Sequence, residues 1–167
     1  ALMRAMPNMR VIVPCDAIEA EKAVIAAAHI MGPVYIRFAR EKSPVFTTHA
    51  SPFIPGKAQV VWESHEPQVA IISCGPILHN ALQAARLLER EGVRSIVINC
   101  HTVKPLDEKK ITDLAKKYGA VVTVEEHQVA GGLGGAVAEL FARACPVPME
   151  YIGMHNAFGS SGSPEKL

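Results

Sequence analysis

From Gln68 onward the sequence alternates β-branched runs with amphipathic runs at a regular interval, and few architectures satisfy that pattern. Val69–Cys74 (VAIISC), Arg94–Asn99 (RSIVIN), Ala120–Val124 (AVVTV) and Val147–Ile152 (VPMEYI) read as strands. After the first, Gly75 and Pro76 open a helix on which Leu78, Leu82, Ala85 and Leu88 recur at helical spacing, and Gly92 ends it. After the second, Asp107 caps a helix with Ile111, Leu114 and Tyr118 inward and Gly119 as its stop. A third helix is expected over 134–144, before the last strand. Apolar strands separated by helices call for a mostly parallel sheet with right-handed crossovers, helices packed on both faces.

The first forty residues carry a shorter version of the pattern. Arg10–Pro14 reads as a strand and Cys15–Gly32 as a helix, capped by Asp16 with Glu19 reaching back in a capping box. Ile18, Ile25 and His29 trace the expected inner face, and Gly32 with Pro33 stops the helix. Pro33–Phe38 then reads as a buried strand. Two strands are too few to stand alone, so this sheet is unfinished. Residues 42–68, with Pro44, Pro52, Pro55 and Gly56, keep no periodicity and read as a linker or crossing segment, to which Ala58–Ser64 can add a short strand.

Composition narrows the function classes. A length of 167 residues suits one domain, or one domain with part of another. Seventeen Lys and Arg against sixteen Asp and Glu give a formal charge of +1, without a dense basic run, which is no footprint for nucleic acid. Aromatic residues, at 5%, supply no stacking platform for single strands. Cys15, Cys74, Cys100 and Cys145 form no Cys-x-x-Cys pair and read as reduced thiols. No apolar run is long enough to span a membrane, and the opening residues lack the layout of a signal peptide. The expectation is a cytoplasmic protein with neither nucleic acid nor membrane as partner.

Several strand ends carry candidate chemistry. Between Val121 and Leu140 a strand meets Glu125, Glu126 and His127, then Gly131, Gly132, Gly134 and Gly135, then a helix. The dinucleotide fingerprint fails because its third glycine position is Val137, and a P-loop fails because Gly135 is followed by Ala136. The glycines then serve close packing of helix on sheet, although amides at the helix start attract anions. The carboxylates and the histidine could act as acid and base, or form a hydrogen-bonded corner or interface. His101, Thr102 and Lys104 lie on a second strand-end loop, where Lys104, Pro105 and Asp107 also make a plain turn into a helix. Arg37 and Arg40 leave an apolar strand three residues apart; such forks suit a phosphate or carboxylate, and a solvated pair is the plain alternative. His29, His49, His65, His79 and His155 have no metal-ligand spacing.

Taken in order, LMRAMPNMRVIVPCDAIEAEKAV, GPVYIRFAR, HTVKPLD, VTVEEHQVAGGLGGAVAEL and GSSGSPEKL resemble the C-terminal part of transketolase, best in the form split into N- and C-terminal subunits. The resemblance implies the tail of a pyrimidine-binding domain over 1–42, a linker over 43–66, and the family's C-terminal α/β domain over 67–167 with its last helix missing. It implies a transferase of two-carbon ketol units between sugar phosphates, using thiamine diphosphate with Mg2+ or Ca2+, and a homodimer working with an N-terminal subunit or domain.

The family's cofactor-activating glutamate, stacking aromatic and Asp-Gly-Pro-Thr-His stretch have no counterpart between Ala1 and Leu167. The resemblance therefore implies a fragment that holds neither catalytic residues nor cofactor by itself. Residue by residue, it places Arg40 on the arginine that grips the substrate phosphate, with Arg37 as a second candidate. It also puts the glycine loop in a domain without an essential cofactor contact, making Glu125, Glu126 and His127 corner or interface groups. Deoxyxylulose-phosphate synthase, or the β subunit of a 2-oxo acid dehydrogenase, is an alternative within the same chemistry. A non-catalytic α/β dimerisation module is the alternative outside it.

Overall fold

A computed structural model describes residues 1–40, 42–159 and 162. Along the chain it contains α1 (Leu2–Ala5), β1 (Arg10–Ile12), α2 (Ala17–Ala28), β2 (Val34–Ile36), β3 (Gln59–Glu63), β4 (Val69–Ser73) and α3 (Leu78–Arg90). There follow β5 (Ser95–Asn99), β6 (Thr102–Lys104), α4 (Glu108–Tyr118), β7 (Val121–Gln128), α5 (Leu133–Ala144) and β8 (Met149–Met154). The closing motif, residues 159–167, lies outside the described residues apart from Gly159 and Gly162.

The larger sheet has the order β3-β5-β4-β7-β8. Its β5, β4, β7 and β8 run parallel, as the alternation of strands and helices requires, while β3 joins the β5 edge antiparallel. Alternate strand residues enter opposite layers. Ala70, Ile72, Ile96, Ile98 and Val121 face α4 and α5, meeting Ile111, Leu114, Val137, Leu140 and Phe141. Ile71, Val97 and Val124 face α3 through Leu78, Ala81 and Ala85. Both faces are thus covered, which is why these strands are apolar throughout. Gly119 ends α4 with φ of 69°, a left-handed cap that suits a residue without Cβ. The short strand that Ala58–Ser64 could add forms as β3, an edge member of the sheet with a bulge at Val60/Trp62, so this part of the stretch expected as linker belongs to the sheet.

The smaller sheet has the order β2-β1-β6. Here β1 pairs parallel with β2 but antiparallel with β6, which comes from the loop His101–Asp107 of the second region. Val11, Val13 and Val103 from this sheet join the same apolar layer as Ile72 and Ile98, so the two sheets share a core.

Two local expectations are corrected. Pro33–Phe38 is not a buried strand: β2 is shorter and lies on a sheet edge, with Tyr35 40% and Phe38 52% exposed. In α2 the buried positions are Glu19 and Ala23, whereas Ile25 is 55% exposed and His29 is also exposed. The reason is polar. Asp16 caps α2 through the Glu19 amide at 2.9 Å and also accepts from the Phe46 and Thr47 amides and the Thr47 hydroxyl, which turns this side of the helix inward. Burial works to raise the Asp16 carboxyl, but these hydrogen bonds outweigh it and hold it below its ordinary value. Glu19 completes the start of the helix by accepting from the Cys15 amide and from Asn99 Nδ2, each at 2.7 Å.

Candidate functional site

Where the two sheets meet, the chain forms a cleft of about 290 Å³. The residues just past β1, β2 and β4 (Val13, Arg37 and Cys74) and the second half of β7 (Glu125 and His127) line it. Main-chain bonds lock these strand ends together: Val13 donates to His101 O at 2.7 Å and Gly75 donates to Val13 O at 3.1 Å. In the larger sheet, β5 lies on one side of β4 and β7 on the other, so chain order reverses there. Crevices at the carboxyl ends of strands beside such a reversal are where open α/β sheets bind ligands.

The glycine loop opens onto this cleft, and its anion is already present. Glu125, only 3% exposed, accepts from the Leu133 amide through Oε2 and from the Gly134 amide through Oε1, both at 2.7 Å. The carboxylate sits at the N-terminus of α5, where a helix favours negative charge. A Cβ on Gly132 would fall 2.0 Å from Glu125 Oε2, and one on Gly134 would fall 2.8 Å from the Tyr151 ring. The glycines therefore let the helix close over the protein's own carboxylate. Burial raises the Glu125 carboxyl above its ordinary value, and the Gly134 and Leu133 amides only partly offset this. Glu126 is exposed, and His127 Nδ1 lies 2.8 Å from Gln128 O.

The second strand-end loop is structural in its contacts. His101 is fully buried, stacks on Phe53 with ring centroids 4.2 Å apart, and places Nδ1 2.9 Å from Thr102 Oγ1. Thr102 Oγ1 also accepts from the Gly56 amide at 3.0 Å, and among the described residues His101 Nε2 has no hydrogen-bond partner. Burial lowers the imidazole to about 4. Lys104 Nζ donates to Arg4 O at 2.8 Å and Met6 O at 2.6 Å, fastening the start of the chain.

The two predicted arginines diverge. Arg37 is half-buried and lines the cleft, whereas Arg40 is exposed and lies outside it. Both lie past the end of β2, Arg37 directly after it and Arg40 at a bend three residues further on. No motif singles out Arg4, whose guanidinium donates to Gly131 O at 3.0 Å and to both oxygens of Glu139 at 2.7 Å. The contact joins residues 135 apart, and no local motif encodes it.

Among the described residues, no open diphosphate cradle or metal-ligand cluster is formed. The glycine loop, the natural diphosphate cradle, is filled by Glu125, and among the described residues no three His, Cys, Asp or Glu side chains converge as metal ligands. Among the same residues, no helix is long and apolar enough to cross a membrane.

Comparison with known proteins gives this arrangement its context. Residues 56–167 match the family model described as transketolase, C-terminal domain, and residues 1–45 match transketolase, pyrimidine binding domain. The chain is 38% identical to a 6-deoxy-6-sulfo-D-fructose transketolase subunit of Clostridium sp. (strain MSTE9), covering 100% of this chain and 51% of that one. It is 36% identical to the transketolase of Homo sapiens over 100% of this chain and 27% of that protein. A solved structure titled split gene transketolase, inactive beta4 tetramer, superposes with a TM-score of 0.90 at 41% identity, covering 95% of this chain and 52% of that one. The chain thus spans about half, or about a quarter, of the length of these relatives. With both models matching in order and the larger covering most of the residues, the chain belongs to the transketolase family.

Proposed function

We propose that this chain is the C-terminal part of a transketolase, which moves two-carbon ketol units between sugar phosphates in an assembled enzyme. The observation that carries the reading is the ordered pairing of a pyrimidine-domain tail with a C-terminal domain, with Arg40 exposed at a bend past the tail's last strand. Arg40 grips the phosphate of the sugar. Arg37, the second candidate, faces the interior cleft instead and is the weaker ligand for a sugar at the surface. The family depends on thiamine diphosphate; we assign that group, with Mg2+ or Ca2+, to the rest of the enzyme, a reading supported by Glu125 filling the glycine loop. Alone, the chain is inactive.

Several observations support a multi-subunit assembly with an N-terminal partner and self-association; the cytoplasm is the compartment proposed for it. Val24, Ile25, Met31, Tyr35 and Phe38 are exposed on the unfinished sheet and its helix, an apolar surface that another part of the enzyme covers. The split-gene relative is titled an inactive beta4 tetramer, which agrees with a C-terminal half that associates without turning over. The subunit named for a sulfo-sugar matches along the whole chain, and a guanidinium fork takes a sulfonate as it takes a phosphate.

The test is an assay of the full enzyme with xylulose 5-phosphate and ribose 5-phosphate, against 6-deoxy-6-sulfofructose and against pyruvate. Turnover of the ketose donors is expected; turnover of pyruvate alone would move the chain to the synthase or dehydrogenase alternative. Arg40→Ala should raise KM for the phosphorylated sugar by about tenfold or more, the loss of a charge-assisted hydrogen bond, with kcat less affected. An unchanged KM sinks the assignment of Arg40.

A further inference from the structure

The cleft between the sheets contains a cation that meets no anion among the described residues. Arg37 is half-buried and lines the cleft, and among the described residues its guanidinium makes no hydrogen bond or ion pair. Only its backbone is engaged, the amide donating to Ile12 O at 2.9 Å.

Among the described residues, no carboxylate pairs with Arg37. Each Glu125 oxygen accepts an α5 amide at 2.7 Å, Glu139 is held by Arg4 at 2.7 Å, and Glu126 is exposed. A guanidinium has five donors and no acceptor, so leaving it partly desolvated and unpaired is unfavourable until an anion arrives. Position and shape agree with that demand. The cleft lies beside the reversal of strand order at β4 and β7, and its volume of about 290 Å³ is close to that of small-molecule sites. Val11, Val13, Val103 and Leu133 give it apolar walls.

We infer that this cleft binds a small organic anion, its phosphate or carboxylate head on the Arg37 fork and its apolar body against Val11, Val13, Val103 and Leu133. The site is separate from the sugar-phosphate contact proposed for Arg40: it lies inside the junction of the two regions, and its walls suit an apolar body rather than a polyol. An occupant would touch the pyrimidine-domain tail and the C-terminal domain at once, tying their relative placement to ligand concentration.

Phenyl phosphate is the probe, titrated calorimetrically into the full-length protein, with inorganic phosphate supplying the head alone and benzyl alcohol the body alone. Phenyl phosphate should saturate, and bind about tenfold or more tightly than either control because only it uses both features. Arg37→Gln should weaken it by about tenfold or more. Arg37→Lys, which keeps the charge and loses the fork, should weaken it by a smaller factor. Arg40→Gln should leave the titration unchanged, whatever it does to KM for sugar phosphate, so the two assignments fail independently. The proposal is overturned if phenyl phosphate gives no saturable heat or binds no better than inorganic phosphate. It is equally overturned if binding survives Arg37→Gln. Should that variant not fold, an unchanged titration in Arg37→Lys overturns the site.

Discussion

The two sheets of this chain are built from similar sequence and end in different states. Strands of the larger one are covered on both faces, with Ile72 and Ile98 fully buried between helices. The smaller one has the same strand–helix–strand beginning, yet β2 is an edge and Ile25 on α2 is 55% exposed. It completes itself only in part, by taking β6 from the other region as an antiparallel neighbour of β1. A strand–helix–strand unit specifies its local elements, but its stability depends on how many neighbours cover it.

The sharpest way to break this contrast is truncation on each side. Leu140→Ala, at a position 2% exposed beneath the larger sheet, should cost about 3–5 kcal/mol in chemical denaturation. Ile25→Ala on the 55% exposed face of α2 should change stability by no more than about 0.5 kcal/mol in the chain alone. Equal costs would mean that the helix face is buried after all. In the assembled enzyme the Ile25 cost should rise if another part covers that face.

Acid should attack the junction next. His101, between β5 and β6, has its imidazole lowered from 6.5 to about 4 by burial. The unfolded chain therefore takes the proton first, and stability is lost as pH falls from 6.5 to about 4, after which this residue contributes no further loss. The loss should be on the order of 3 kcal/mol. Thermal melts across that window should show it, and His101→Phe should flatten the dependence. A melt curve no flatter in the variant would place the acid sensitivity elsewhere.

A smaller effect than the acid loss is expected at the latch between the regions. Arg4 grips Glu139 bidentately, but the carboxylate is 65% exposed and screened by solvent. A double-mutant cycle with Arg4→Ala and Glu139→Ala should give a coupling of about 0.5–1 kcal/mol that weakens with added salt. A salt-independent coupling would argue for a better-shielded contact.

Much of the fold was legible locally, and the misses share one cause. Apolar runs at Val69, Arg94 and Ala120, glycine stops, and caps at Asp16 and Asp107 each act within a few residues, and these elements form where the pattern puts them. Thr102–Lys104 looked like a loop because nothing in three residues announces a strand whose partner lies ninety positions away. The glycine loop was readable as a close helix–sheet contact, but the identity of its anion was not. Glu125 precedes Leu133 and Gly134 by eight and nine residues, across a turn whose shape decides whether carboxylate and amides meet.

By itself the sequence determined the order of the main helices and strands, the parallel character of the larger sheet and the family to which the motifs belong, because periodicity, caps and motif order are properties of neighbouring residues. Only the tertiary structure decided that Glu125 fills the helix terminus, that Arg37 turns into the cleft while Arg40 stays outside, and that β6 closes the smaller sheet. Those outcomes depend on which distant groups come within bonding distance once the core has packed, and burial and charge fix them only then.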